Sequence, residues 1–410
     1  VTAVNLGPAP AKCTNGGPPI NVPVNMTAAC TGNLAQTTFT WALCSCNNVN
    51  GTDALQTDIY DSTKGPYPQA GPLGGSVGAN GVLQSSSLVV IGGTLWTAGS
   101  TGISSTGSVN VKEELHVNGP VNVRGFSVGY DAFVNGAVSG GTLSIGKNLT
   151  VPNGVTPTGT AVVGQTIHVP PPVSVPPPCR CAPSDIIPVA TIVAARAMNN
   201  DDAAIGLNPS IVTGPTGGIR LDLPCGEYYL NGITNSDPVA IVAHGHTALY
   251  IGSNISPSAT LTITLDPTAT LDLFVAGTIN TSNTLTIGNI NYPALSRTYI
   301  GGSQALTFSS GVSLGTNFYA PNAHLDWGAG TDIYGSVFSG DFLGSSKVAI
   351  HYDSAVLQQG SSCGPPPGNC SSCQQCGNQA CNSGMCGSCM NSTQCCAPLF
   401  CVGGTCTTHE

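Results

Sequence analysis

From about residue 85 the chain alternates apolar and polar positions in short runs closed off by Gly or Asn-Gly. Runs at 87–91, 108–112, 115–117, 121–123, 126–128, 132–134, 143–145 and 149–151 read as strands. Period-two alternation places one side of each on a core. Asn-Gly could make tight hairpins, but the runs follow one another too closely for a meander of ordinary strands. The pattern predicts a parallel solenoid, in which Gly turns the corners and each coil stacks its small apolar residues on the next. A β-sandwich is the alternative.

A second region opens with a helical pattern over 184–198, Ser184 standing as N-cap, Asp185 at the positive end of the dipole and Pro188 in the first turn. Strands then resume at 248–251, 271–275, 298–300, 317–320, 332–335 and 348–350, with wider spacing that suits a β-helix. Aromatics recur at matching places (Tyr250, Phe274, Tyr299, Phe318 or Tyr319, Tyr334), as expected of one stacked ladder in the packing rather than a sugar-binding platform. The fold class is therefore all-β: parallel β-helix or β-solenoid regions, one short helix and a small disulfide-rich C-terminal module.

Composition sharpens this. Only 7% of residues are charged, against about 25% in an ordinary domain, while a hydrophobic fraction of 41% is ample for a core. A net charge of −9, with Lys and Arg scattered singly, excludes nucleic acid and anionic membranes as partners. No run is long and apolar enough to span a bilayer. The sequence starts at Val1 without a leader and reads as a mature, secreted, extracellular or cell-surface chain whose signal peptide has been removed.

Eighteen cysteines point to an oxidising compartment. They form three groups: Cys13, Cys30, Cys44 and Cys46; Cys179, Cys181 and Cys225; and Cys363, Cys370, Cys373, Cys376, Cys381, Cys386, Cys389, Cys395, Cys396, Cys401 and Cys406. The last two groups are odd in number, which requires at least one bridge between groups if all are paired. Prolines at 170–172 and 176–178, and the Gly-Pro-Pro-Pro-Gly run at 364–368, mark boundaries. The expected organisation is a cap or docking arm over 1–62, a first solenoid over 63–168, and a Pro-rich linker over 169–182. A helix plus second β-helix over 183–353, a Pro/Gly linker over 354–368 and a Cys-rich module over 369–410 complete it.

Three stretches resemble known families. Residues 109–151, with Leu115-His-Val-Asn-Gly-Pro-Val-Asn-Val123 and Ala132-Phe-Val-Asn-Gly136, resemble bactofilin-type polymer-forming β-solenoids. Leu271-Asp-Leu-Phe-Val-Ala-Gly277, Phe318-Tyr-Ala-Pro-Asn-Ala323, Ile333-Tyr-Gly335 and His351-Tyr-Asp353 resemble a β-helical domain of unknown function over about 224–353. That domain occurs in secreted bacterial proteins, often myxobacterial and sometimes near pilus assembly. It implies a fold and a surface location and carries no reaction with it. The spacing Cys389-x5-Cys395-Cys396-x4-Cys401-x4-Cys406 is similar to inhibitor-cystine-knot modules. By that resemblance Cys389 would pair with Cys401 and Cys395 with Cys406, while Cys396 would reach back to Cys376, Cys381 or Cys386. The upstream half, Cys370-x2-Cys373-x2-Cys376, departs from the pattern, and its connectivity stays open. A module this small and poor in apolar side chains needs such staples.

Residues with reactive chemistry are sparse. Cys370-x2-Cys373 with Cys386-x2-Cys389 has zinc-ribbon-like spacing, but the number of cysteines and the compartment favour disulfides. Cys44-x-Cys46 and Cys179-x-Cys181 are too closely spaced for redox motifs. His244-Gly-His246 could form a metal edge or be structural, and no third ligand is near in sequence. His351-Tyr-Asp353 is expected to close the last coil by bonding backbone. Asn199-Asn-Asp-Asp202 could ligate calcium, or simply end the helix, and no other cofactor is implied. Asp266, Asp272, Asp326, Asp332 and Asp341 are dispersed, so the paired carboxylates of a polysaccharide hydrolase or lyase are not found. Sequons stand at Asn25, Asn50, Asn148, Asn254, Asn280 and Asn391.

These features point to a non-enzymatic structural subunit of an extracellular filament or matrix, its partner being itself through solenoid ends or an N-terminal arm. The alternative is a monomeric adhesin or carbohydrate binder that meets surface glycans or matrix proteins. A polysaccharide-cleaving enzyme fits least.

Overall fold

The computed structural model of the chain describes all residues except 25–26, 69–72, 310, 364–369, 371–372, 374–375, 377–378, 383 and 409–410. Its main sheet of 28 strands pairs in parallel throughout and winds into a three-faced solenoid. Face one stacks strands at 219–223, 239–243, 261–265, 285–288, 312–315, 333–334 and 348–353. It continues with 55–60, 89–91, 109–111, 126–128, 143–145 and 161–163, thirteen levels in all.

That order is not the order of the chain. Residues 213–353 build the lower half, and residues 43–60 lie directly on its last coil: Leu43 pairs with Val337, Val49 with Phe342 and Leu55 with Val348. The chain thus enters the solenoid at mid-height, climbs to residue 169, returns along the outside and re-enters at the bottom. The two regions expected from sequence are halves of one continuous stack. Within the span expected as an N-terminal cap or arm, Leu43–Ser45, Val49–Gly51 and Leu55–Tyr60 supply one complete coil at the seam.

Alternation explains the core. In successive coils Val109, Phe126 and Leu143 stack inward, as do Val111, Val128 and Ile145, all at most 4% exposed. Partners are 17 residues apart here (Asn110 and Ser127) and up to 27 in the lower half (Leu285 and Val312), where extra residues sit in the corners. Gly102 turns one corner with φ +65°, and a Cβ there would meet the Pro120 carbonyl.

Polar residues on face two are covered from outside. Residues 170–196, part of which reads as a linker in the sequence, run down this face as a strap. The Val173 amide donates to Asn135, Pro176 accepts from the Trp96 indole, and Cys179 exchanges two bonds with Asn80. The strap covers an outward column in register: Tyr250, Phe274, Tyr299, Tyr319, Phe338, then Cys44, Gly78, Trp96, His116 and Phe133. Tyr250, Phe274 and Tyr299 stack with nearly parallel rings at centroid distances of 5.3 and 4.7 Å, and all three are fully buried. Phe338, not Tyr334, continues the column; Tyr334 stands on face one beside His351. The helix at the foot of the strap is Val189–Arg196 with Pro188 at its N-cap. It begins later than the sequence suggests, because residues 182–187 form turns in which the Ile187 amide is donated to the Tyr319 hydroxyl. Two further helices, Thr31–Thr38 and Asp202–Ile205, are present.

The C-terminal module has two small antiparallel hairpins, Ala380–Asn382 with Met385–Gly387 and Phe400–Val402 with Thr405–Thr407. The Gly-Pro run at 364–368 lies outside the described residues, as do Asn25 and Met26 of the first sequon.

Candidate functional site

The two ends of the solenoid differ. At the lower end each face of the terminal coil has its free edge occupied. On face one, Thr2 and Val4 donate to Gly218 and Arg220 carbonyls. On face two, Asp201 and Asp202 carboxylates accept the Glu227 and Tyr229 amides. On face three, the amides of Asn231, Thr234 and Ser236 reach carbonyls of Pro209, Val212 and Gly214. Cys13–Cys225 and the Lys12–Asp201 ion pair fasten this cap. Residues 1–13 and 201–214 thereby close one end.

The upper end is built by Thr158–Val169, paired below with Val138–Pro152. Among the described residues no segment pairs with its upper edge. Its described side chains are exposed or half-buried, and Val162 is 70% exposed. The strand contains no Asp, Glu, Lys, Arg or Pro. Natural edge strands are usually guarded by charge, Pro, brevity or a cover; this one is twelve residues long and unguarded.

The cysteines form nine disulfides. Cys44–Cys179 and Cys46–Cys181 rivet the strap to the seam coil, and Cys30–Cys363 ties the Thr31–Thr38 helix to the Ser354–Cys363 turn on which it packs. The module holds Cys370–Cys381, Cys373–Cys396, Cys376–Cys386, Cys389–Cys401 and Cys395–Cys406. Cys396 therefore reaches Cys373 rather than Cys376, Cys381 or Cys386. The cysteines with zinc-like spacing are all consumed in these bridges.

Polar clusters serve the stack. His244 lies between Asp222 of the coil below and Asp266 of the coil above. Burial opposes its protonation, but the two carboxylates outweigh that and raise its pKa. His246 does not join it; its Nδ1 meets the Thr270 hydroxyl, and burial with Arg297 nearby lowers its pKa. His351 stands on the last coil of the lower half, which is the seam with the upper half and not an end of the solenoid. Its Nδ1 is 2.8 Å from Asp58 of the upper half, its Nε2 3.4 Å from Asp332, and the Tyr67 ring lies on it at 3.9 Å. Burial again opposes protonation, and Asp58 and Asp332 raise the pKa in spite of it. Asp353 is fully buried and accepts the Ser62, Ala294 and Ala355 amides, and the net effect of burial raises its pKa.

Asp272 and Arg297 form a fully buried bidentate pair (2.6 and 2.9 Å) beneath the N-terminal segment. Asp326 accepts from Ser345, and Asp341 from Asn47 and the Asn48 amide. Of the five acids dispersed in sequence, Asp266 is thus brought to Asp222 across His244 and Asp332 to Asp58 across His351, while Asp272, Asp326 and Asp341 have separate partners. In the run considered for calcium, Asp201 meets Lys12 and the Glu227 amide, Asp202 the Tyr229 amide, and Asn200 bonds back to the helix. Burial pushes the Asp202 carboxyl up to about 6.

Residues 189–359 match a domain of unknown function, DUF7305. The match covers the lower half with its helix and ends before the Cys-rich module. Neither a curated protein nor a solved structure matches the chain. Among the described residues no helix is long and apolar enough to cross a membrane, and nine disulfides fit an oxidising, extracellular setting.

Proposed function

We propose that the protein is a structural, non-catalytic subunit of an extracellular or surface assembly, and that two copies join through their open upper coils. The single observation behind this is the contrast between a lower end bonded on three faces and a twelve-residue upper edge with neither charge nor cover. An exposed edge is a template for another strand. Because the lower end is closed, the end-to-end polymer expected from sequence loses one of its two templates. Pairing of like ends about a two-fold axis needs only the open one. Strands meeting that way run antiparallel, a geometry in which coil edges bond readily. Scarcity of charge leaves little repulsion between the copies, so the contact should persist in concentrated salt.

Sedimentation of the native protein tests this. The expected species at about 100 µM has twice the 41.2 kDa mass of the chain, unchanged on adding salt. Val162→Lys, at an exposed, outward-facing position of the top coil, places like charges beside the contact and should give a 41.2 kDa monomer with an unaltered melting curve. A wild-type monomer, or an open ladder of higher masses, would contradict the proposal.

A further inference from the structure

Beside the strap, where the seam coil, the end of the Thr31–Thr38 helix and the C-terminal module converge, lies a recess of about 190 Å³. Its apolar wall is Trp41 and Trp96, packed edge to face at 6.5 Å and 85°. Trp96 is only half-buried, and its ring is immobilised twice. Its indole N–H is fixed on the Pro176 carbonyl at 2.8 Å, and its other face stacks on His116 at 4.1 Å.

Its polar lining includes Thr38, Thr40 and the Arg180–Asp185 pair, 3.0 Å apart. Both members of that pair are substantially exposed, at 46% and 32%. Its bond to Asp185 uses one of the five N–H donors of the guanidinium, and carboxylate lone pairs remain as acceptors.

We infer that this recess is a binding site for one neutral sugar ring of a surface or matrix glycan. A pyranose has an apolar C–H face and a rim of hydroxyls that both donate and accept. The recess is lined by fixed aromatic surface, by threonine hydroxyls and by the Arg180–Asp185 pair, which together supply both donors and acceptors. A charged ligand is disfavoured because Arg180 and Asp185 already neutralise each other. The volume is below the roughly 300–1,000 Å³ of drug-sized ligand pockets, so one ring or chain end fits and an extended oligomer does not. Rings fixed by the strap need no reorganisation, which lowers the cost of binding. This reading is independent of pairing through the upper coil, since the recess lies on face two near the seam.

The probes are methyl glucoside, methyl galactoside and N-acetylglucosamine, with glucuronate and glucosamine as charged counterparts, titrated into the full chain and followed by the indole N–H resonances in NMR. The chain has three Trp, and Trp327 is fully buried on another face, its indole bonded to Thr331. It serves as the internal control. Saturable shifts of Trp41 and Trp96 with at least one neutral sugar, and none of Trp327, are expected with a dissociation constant near about 1 mM. Arg180→Gln and Trp96→Leu should each weaken binding about tenfold or more. Arg180→Gln touches only an exposed side chain and so keeps the test valid if Trp96→Leu disturbs packing. Silence of all three neutral sugars at about 100 mM, equal binding of the charged sugars, or undiminished binding by Arg180→Gln would overturn the assignment.

Discussion

The two rivets Cys44–Cys179 and Cys46–Cys181 allow a quantitative test of the strap. Both close loops of the same sequence separation, 135 residues. In the chain-entropy account the first bridge to form constrains the unfolded chain by about 4–5 kcal/mol for a loop of this order. Cys13–Cys225 shortens the effective loop, but the dependence is logarithmic and the figure hardly moves. Once one rivet exists, the second closes only the few residues between them, for which the same relation gives about 2 kcal/mol. Replacing one pair (Cys44→Ala with Cys179→Ala, or Cys46→Ala with Cys181→Ala) should therefore cost about 2 kcal/mol, and replacing both about 6–7. Guanidinium unfolding of the three variants and the wild type measures this directly. The loss from both should exceed the sum of the separate losses by about 2–3 kcal/mol. Separate losses of 4–5 kcal/mol each that simply add would refute the reasoning, since the rivets would then restrain independent loops.

Further outcomes follow from the buried and seam charges. Arg297→Met strands Asp272 in a dry site and should destabilise by about 3–5 kcal/mol in the same assay, whereas adding Asp272→Leu should restore most of it. His351 bridges the halves with its pKa raised by Asp58 and Asp332. A raised histidine contributes stability that is fully present below its unfolded value of about 6.5 and lost as pH rises through the folded value. Comparing thermal melts of wild type and His351→Gln, the difference should be largest near pH 5.5 and shrink towards pH 8 or above; a difference that grows with pH would contradict the pairing. Mild reduction followed by proteolysis should cleave the C-terminal module first, because five of its bridges close loops of at most 23 residues without a large core. Early cuts within the 103–151 coils would argue against this.

Local alternation was enough to place many strands. Leu115–Val117 and Ala132–Val134 lie where the sequence pattern sets them, because inward Val, Leu and Ala at period two leave one way to face the core. The stacking order was not legible. Val337 and Leu43 meet across nearly three hundred residues of chain, and a coil edge bonds through backbone groups that every residue possesses. The usable signal was the equal spacing of Cys44-x-Cys46 and Cys179-x-Cys181, which suits two segments lying side by side and bridged twice. Reading the prolines at 170–178 as a linker also misled, since an extended segment with free carbonyls can equally serve as a strap. The unguarded upper edge was visible in the composition of 158–169, but only the stack shows that it is an end.

The measurement closest to the central claim is the particle length of the native protein by electron microscopy. Thirteen levels spaced about 4.8 Å apart make a single solenoid about 60 Å long, so paired copies should appear as two-fold symmetric rods of about twice that length with the closed ends outermost. Single short particles at concentrations where binding should be complete, or filaments of indefinite length, would contradict it.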